Sequence, residues 1–202
     1  MRIDRHSDRC PGRLRCRRGI EARRERTDGR ESWAALQAAA WVQDGDPKAG
    51  RIVYAFTDAN CPYCNELWRS ARPWVEAGKV QIRHVMVGVI REDSPGKAAA
   101  ILEASDPQAA LTQNERDHDK GGIAPLKTIP AETSAKLNSN VELMRRLGFS
   151  GTPGLVAQGS NGALTLQSGV PAVGLKRSSD PSNGRGISFS PFGEAKHPLS
   201  LP

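Results

Sequence analysis

Long apolar runs are what this 202-residue sequence most conspicuously lacks. Nowhere do about 18 hydrophobic residues follow one another, which excludes an ordinary membrane-spanning helix. No apolar core of roughly 7–15 residues follows Met1 either, so no secretory signal is legible. Read alone, these two absences predict a cytoplasmic protein. Aromatic residues are scarce at 5%, and hydrophobic residues reach only 38% beside 20 Gly and 14 Pro. That composition predicts a folded centre with poorly ordered ends. There are four cysteines, and two of them, Cys10 and Cys16, fall in an Arg-rich start and are read as incidental.

The net charge of +7 is equally uneven. Residues 1–30 hold eleven Arg against five Asp or Glu, which supplies +6 and leaves the body nearly neutral. The basic leader has no aromatic interleaving and no zinc-finger spacing, so nucleic acid is not an expected partner. From 176 to 202, Ser, Pro, Gly and Lys recur without periodicity, which reads as a disordered tail.

Between these ends the patterning is regular. Residues 31–42 read as a helix that groups Trp33, Leu36, Ala40 and Trp41, with the breaker Gly45-Asp46-Pro47 after it. Ile52 to Thr57 reads as a buried strand, Pro62 to Val75 as a helix, and Val80 to Val87 as a second strand; together they form a βαβ unit. Helices follow from Ser94, read as an N-cap before Pro95, from Asp106 or Pro107, and from Ala131 to Leu147. Gly148 reads as the C-cap of the last, and Leu155–Ala157 and Ala163–Gln167 as a hairpin around Ser160-Asn161-Gly162. The fold class is α/β.

Cys61-Pro62-Tyr63-Cys64 occupies the strand-to-helix junction. A helix N-terminus presents unpaired N–H groups and a positive dipole end, so Cys61 is expected to ionise below the ordinary thiol range. Cys61 is read as the attacking thiol and Cys64 as the resolving thiol, with Pro62 and Tyr63 setting redox poise and Tyr63 lining the entrance. A lone CxxC also fits half a zinc site, but Cys10, Cys16, His84 and His118 offer no complementary spacing, so neither metal nor cofactor is expected.

The run from Val53 to Cys64 resembles the active-site segment of the DsbC/DsbG family of periplasmic thiol:disulfide interchange proteins. Arg72-Pro73-Trp74-Val75, the stretches from His84 to Ile90 and from Asp93 to Leu102, and Gly151-Thr152-Pro153 extend that resemblance over roughly residues 31–173. It implies a thioredoxin-like fold over 51–175 with a helical insertion at about 94–147, a linker helix and turn over 31–50, and periplasmic residence. It implies cysteine-containing protein substrates, a membrane-bound thiol reductase of the DsbD type, and a cis Pro153 that, with Thr152, offers backbone groups to a client strand beside the thiols. The family's dimerisation domain, signal and closing helix have no counterpart in these residues. Homodimerisation is therefore left open, and the natural chain is expected to extend further upstream.

Three residues near the motif lack an assigned chemical role. Ala55 stands where thioredoxin carries a buried acid, six residues before the first cysteine. Asp58 is read as a solvated turn acid, and His84 as a residue facing either the core or the sheet edge, not as a base. The alternative function is a client-binding, chaperone-like module with little redox turnover.

Overall fold

A computed structural model describes residues 29–159 and 161–171. Cys10, Cys16, the Arg-rich leader up to 28 and the tail from 172 lie outside the described residues. In chain order the elements are a helix over 29–38 (α1), β1 (Trp41–Asp44), β2 (Arg51–Asp58), α2 (Pro62–Glu76), β3 (Val80–Val87), α3 (Ser94–Leu102), α4 (Pro107–Arg116), a 3-10 turn (His118–Lys120), α5 (Ala131–Arg146), β4 (Gly154–Gln158) and β5 (Leu164–Ser168).

The strands form one sheet in the order β1-β3-β2-β4-β5. Only β2 and β3 are parallel, joined through α2 as a βαβ crossover; the other three pairings are antiparallel. Alternation along β2 decides which residues face which layer. Tyr54 and Phe56 join Val85, Val87 and Val156 on the face covered by α1 and α5, through Leu36, Leu143, Met144 and Phe149. Val53 and Ala55 join Ile82 and Leu155 on the other face, where α2 inserts Leu67, Ala71 and Val75. A third cluster unites Met86 of β3 with Ala98, Ile101, Leu111 and Leu137 of the helices that follow.

Residues 31–42 correct the sequence reading. The helix stops at 38, and Trp41–Asp44 is a strand that pairs antiparallel with β3 in the register Trp41↔Val85 to Asp44↔Ile82. Its residues enter the sheet instead of a linker helix and turn. The capturing side chain is Asn140 of α5. Its Oδ1 accepts from the Ala40 N–H at 3.2 Å, and its Nδ2 donates to the Ala40 carbonyl and the Met86 carbonyl, both at 2.8 Å. An amide that satisfies both backbone groups of Ala40 removes the helix's local advantage there. Trp41 therefore leaves the proposed helical face. Its indole N–H donates to the Gln37 carbonyl at 3.2 Å, and the Arg83 guanidinium lies 4.4 Å from its ring centre.

The end of α5 follows the expected pattern. Gly148 has φ +85°, and its N–H and that of Phe149 donate back to the Arg145 and Met144 carbonyls. The β4–β5 hairpin also forms, with Gly162 at φ +78° in its turn. The start of α3 differs from the reading. Asp93, not Ser94, stands at the N-cap, and Ser94 is the first helical residue with its hydroxyl directed elsewhere.

Candidate active site

The turn after β2 is set by one carboxylate. Asp58 is fully buried. Its Oδ1 accepts from the Asn60 N–H at 2.9 Å and the Ser94 hydroxyl at 2.8 Å; its Oδ2 accepts from the Val89 N–H at 2.7 Å and the Ile90 N–H at 3.0 Å. Its carbonyl accepts from the Cys61 N–H at 3.0 Å. Asp58 is therefore not the solvated turn acid that sequence suggests. It ties the cysteine turn to the segment after β3, and this also explains why the Ser94 hydroxyl does not cap α3. Asn60 extends the network, donating to Asp93 and Ser94 at 2.9 Å each and accepting from the buried Lys97 ammonium at 2.8 Å.

Held by this turn, Cys61 becomes the N-cap of α2, with extended φ −81° and ψ 114° and Pro62 in the first turn. Its sulfur accepts from the Cys64 N–H at 3.3 Å, where other helices use an oxygen. Both cysteines are free and buried, at 2% and 1% exposure. Tyr63 between them is 61% exposed.

From the far side of the site comes the loop before β4. The Thr152–Pro153 peptide is cis. The Thr152 carbonyl accepts from the Cys61 thiol at 3.4 Å, and the Thr152 hydroxyl is buried beside the two sulfurs. Cys61, Cys64 and Thr152 thus meet at one point although Thr152 is 91 residues from Cys61.

This arrangement separates the two thiols electrically. The hydrogen bond from the Cys64 thiol lowers Cys61 most, and together with the Thr152 hydroxyl and the N–H groups of Cys64 and Tyr63 it outweighs burial, bringing Cys61 from 9.0 to about 6. Cys64 moves the opposite way. Burial raises it well above the ordinary range, and its interaction with Cys61 adds to that rise. Near neutral pH the pair is therefore an ionised Cys61 beside a protonated Cys64, the assignment expected for an attacking and a resolving thiol.

Behind the pair lies a layer of three polar groups that the sequence reading missed. Asn65 donates to the Glu115 carbonyl at 2.6 Å and to its carboxylate at 2.8 Å, while Asn114 donates to the Ala59 carbonyl at 3.1 Å and to Glu115 at 3.3 Å. Burial raises the Glu115 carboxyl above its usual range despite these bonds. The only sequence signal for Asn114 and Glu115 was two adjacent polar residues in an otherwise ordinary helix, and Asn65 gave none. His84, which sequence left between core and edge, is fully buried in the core beside Thr57 and Asp44.

No family model matches the chain. It is 46% identical over 142 residues to the thiol:disulfide interchange protein DsbG of Pseudomonas aeruginosa, covering 70% of this chain and 56% of that protein. To DsbG of Escherichia coli it is 39% identical over 143 residues, covering 71% and 58%. The chain thus spans less than two thirds of the length of these curated relatives. Among solved structures, the catalytic domain of Proteus mirabilis ScsC aligns with a TM-score of 0.56 at 25% identity, over 72% of this chain and 90% of that one. A periplasmic thioredoxin-like protein from Salmonella enterica serovar Typhimurium aligns with a TM-score of 0.55 at 22% identity, over 69% and 87%. The second likeness bears on fold alone. Over the matched region the chain is therefore similar in sequence to DsbG, and it carries a thioredoxin-like fold.

Proposed function

We propose that the chain exchanges disulfides with cysteine-containing proteins through Cys61 and Cys64. The observation that carries this reading is the acidified Cys61 sulfur, held at the N-terminus of α2 by the Cys64 thiol and by Thr152. The Cys61 thiolate attacks a client disulfide; one client sulfur bonds to Cys61 and the other leaves as a thiolate. The client then either rearranges and releases Cys61, or the Cys64 thiolate attacks the Cys61 sulfur, forms the Cys61–Cys64 disulfide and expels the client sulfur as a thiolate. The first outcome is isomerisation and returns the reduced pair. The second reduces the client and leaves an oxidised pair, which a membrane-bound thiol reductase of the DsbD type restores.

Thr152 and Pro153 form the wall against which a client strand lies, with the Pro62–Tyr63 edge opposite. The exposed apolar side chains Tyr63, Val89 and Ile90 support a protein client in preference to a small thiol. They also favour a second reading, chaperone-like binding, because such a rim can hold partly folded chains without chemistry. Residence in the periplasm agrees with this chemistry, since disulfides persist there. Among the described residues no helix is long and apolar enough to cross a membrane.

The test compares refolding of a scrambled-disulfide client with oxidation of a reduced one, for the parent and for Cys61→Ala. Exchange that disappears in Cys61→Ala supports the proposal. Full assistance by Cys61→Ala, in either assay, refutes it in favour of chaperone-like binding.

A further inference from the structure

The sheet order places the end of β2, and with it the cysteine turn, between two loops. On one side lies β4, entered through Thr152–Pro153. On the other lies β3, whose last residue Val87 pairs with Asp58, the last of β2. Residues 88–93 therefore leave the sheet beside the turn that carries Cys61.

That segment is braced from within. The N–H groups of Val89 and Ile90 both donate to Oδ2 of Asp58, at 2.7 and 3.0 Å. The Arg91 N–H donates to the Ser94 hydroxyl at 3.0 Å, and the Ser94 N–H donates to the Arg91 carbonyl at 3.1 Å. Gly88 passes so close to the start of α3 that a Cβ there would lie 2.6 Å from the Pro95 nitrogen. The backbone donors thus point inward, while the side chains of Val89, Ile90, Arg91 and Glu92 are all exposed.

Val89 and Ile90 are 41% and 45% exposed, and neither joins the three apolar clusters of the core. A connection that only joins β3 to α3 gains nothing from two such side chains in water. Single exposed hydrophobes are ordinary, but this adjacent pair stands on a backbone fixed by a buried carboxylate. β-branched side chains also have little χ1 freedom to lose, so a partner that covers them imposes little new order. Arg91 and Glu92 carry opposite charges, so the loop as a whole does not select clients by sign of charge. Asp58 also sets the register of the loop against the nucleophile. It holds Val89 and Ile90 through Oδ2, the Asn60 N–H through Oδ1 and the Cys61 N–H through its carbonyl.

We infer that Val89 and Ile90 are a specificity element of the exchange reaction, receiving apolar client side chains next to the cysteine that Cys61 attacks. The contact lies on the side of Cys61 away from Thr152–Pro153. This rests on the exchange reading given above and adds the class of client to it. Favoured clients are polypeptides whose reactive disulfide lies among apolar residues. That condition is met in partly folded chains, where the apolar neighbours of a cysteine are still uncovered. A disulfide set among polar residues gains no such contact. The pair acts on which disulfide is selected, and the exchange of bonds stays with Cys61 and Cys64.

The experiment measures the rate of mixed-disulfide formation at Cys61, located by mass spectrometry, for the full reduced chain with two reporter peptides. The peptides differ only in the residues that flank their disulfide-bonded cysteine, leucine in one and serine in the other. The parent should react about tenfold faster with the leucine peptide. In the double variant Val89→Ser with Ile90→Ser that ratio should fall to near unity. Because the readout is a ratio within one protein, any general change in the Cys61 thiolate cancels. Val89→Thr with Ile90→Thr keeps the β-branched shape and should lose most of the preference too, which carries the decision if the serine variant fails to fold. A parent without preference, or a preference retained in the variants, overturns the proposal. Cys61→Ala keeps the two levels apart. Release of peptide thiol at the parent's rate in Cys61→Ala refutes exchange through Cys61 itself, whereas a parent-like ratio in the Val89 and Ile90 variants refutes only the assignment of the loop.

Discussion

Removal of the Cys64 thiol should make Cys61 a weaker acid, and the size of the change can be worked from the contacts. At about 6, Cys61 is roughly nine-tenths thiolate at pH 7, whereas a thiol at its ordinary 9.0 would be about one-hundredth ionised. The largest stabilising contribution is the Cys64 thiol donating to the Cys61 sulfur. A hydrogen bond to a charged group contributes about 1.5–3 kcal/mol, equivalent to about 1–2 pH units. Cys64→Ala removes this donor but keeps the Cys64 N–H, which lies 3.3 Å from the sulfur, and the Thr152 hydroxyl. The Cys61 midpoint should therefore rise to about 7–8, still below an ordinary thiol because those donors persist. Cys64→Ser, which restores a hydroxyl donor, should recover part of the shift. The assay is the rate of alkylation by iodoacetamide against pH, with mass spectrometry confirming modification at Cys61. A midpoint unmoved in Cys64→Ala would refute the assignment of that thiol as the principal stabiliser. A midpoint at or above 9.0 in the parent would refute the whole electrostatic account of the site.

Other contacts give further expectations. Asp58→Ala leaves four donors around a fully buried position without their acceptor, so urea unfolding should show a loss of at least about 3 kcal/mol; a loss below about 1 kcal/mol would contradict the network. Asp44 binds its proton less readily when folded, about 2 against the ordinary 3.8, so its stabilising contribution is complete above about pH 4 and fades as pH falls through about 2. That contribution is roughly 2 kcal/mol, and in denaturant melts Asp44→Asn should flatten this part of the acid-unfolding profile; an unchanged acid limb would count against it. Asn140→Ala removes three hydrogen bonds, one buried and two partly buried, and should cost about 2–4 kcal/mol, with faster amide exchange concentrated in β1. Uniform exchange across the sheet would show that Asn140 does not hold β1 specifically.

What sequence made legible were features decided by near neighbours in the chain. The alternation of Val53 to Phe56, the glycine at 148 and the proline after Cys61 each act over a few residues, and β2, the end of α5 and the start of α2 follow them. The cysteine pair was visible for the same reason. β1 was not legible, because Ala34 to Ala40 favours helix and the competing partner, Asn140, lies 100 residues from Ala40. Asp58 was misread because a carboxylate in a turn is usually solvated, and three of its four side-chain donors come from residues 89, 90 and 94. His84 needed the β2–β3 register before it could be placed in the core, opposite Ala55.

The helical insertion therefore acts as more than a cover for the sheet. Ser94 and Lys97 of α3 and Asn114 of α4 each place a polar group within hydrogen-bond reach of the turn between β2 and α2, at Asp58, Asn60 and Ala59 respectively. Lys97 is 5% exposed, and its ammonium also donates to the Gly121 carbonyl at 2.7 Å, with Asp93 at 3.4 Å. A buried network of this kind is favourable only when every member is satisfied, since one missing partner leaves a desolvated charge or dipole behind. Its geometry is then coupled to the packing of the insertion: Lys97 cannot reach Asn60 unless α3 is seated, and Asn114 cannot reach Ala59 unless α4 is. The N–H groups and thiols that acidify Cys61 begin one residue beyond Asn60. Loosening α3 or α4 should consequently be felt at the sulfur, because Cys61 hangs directly from Asp58 through its N–H.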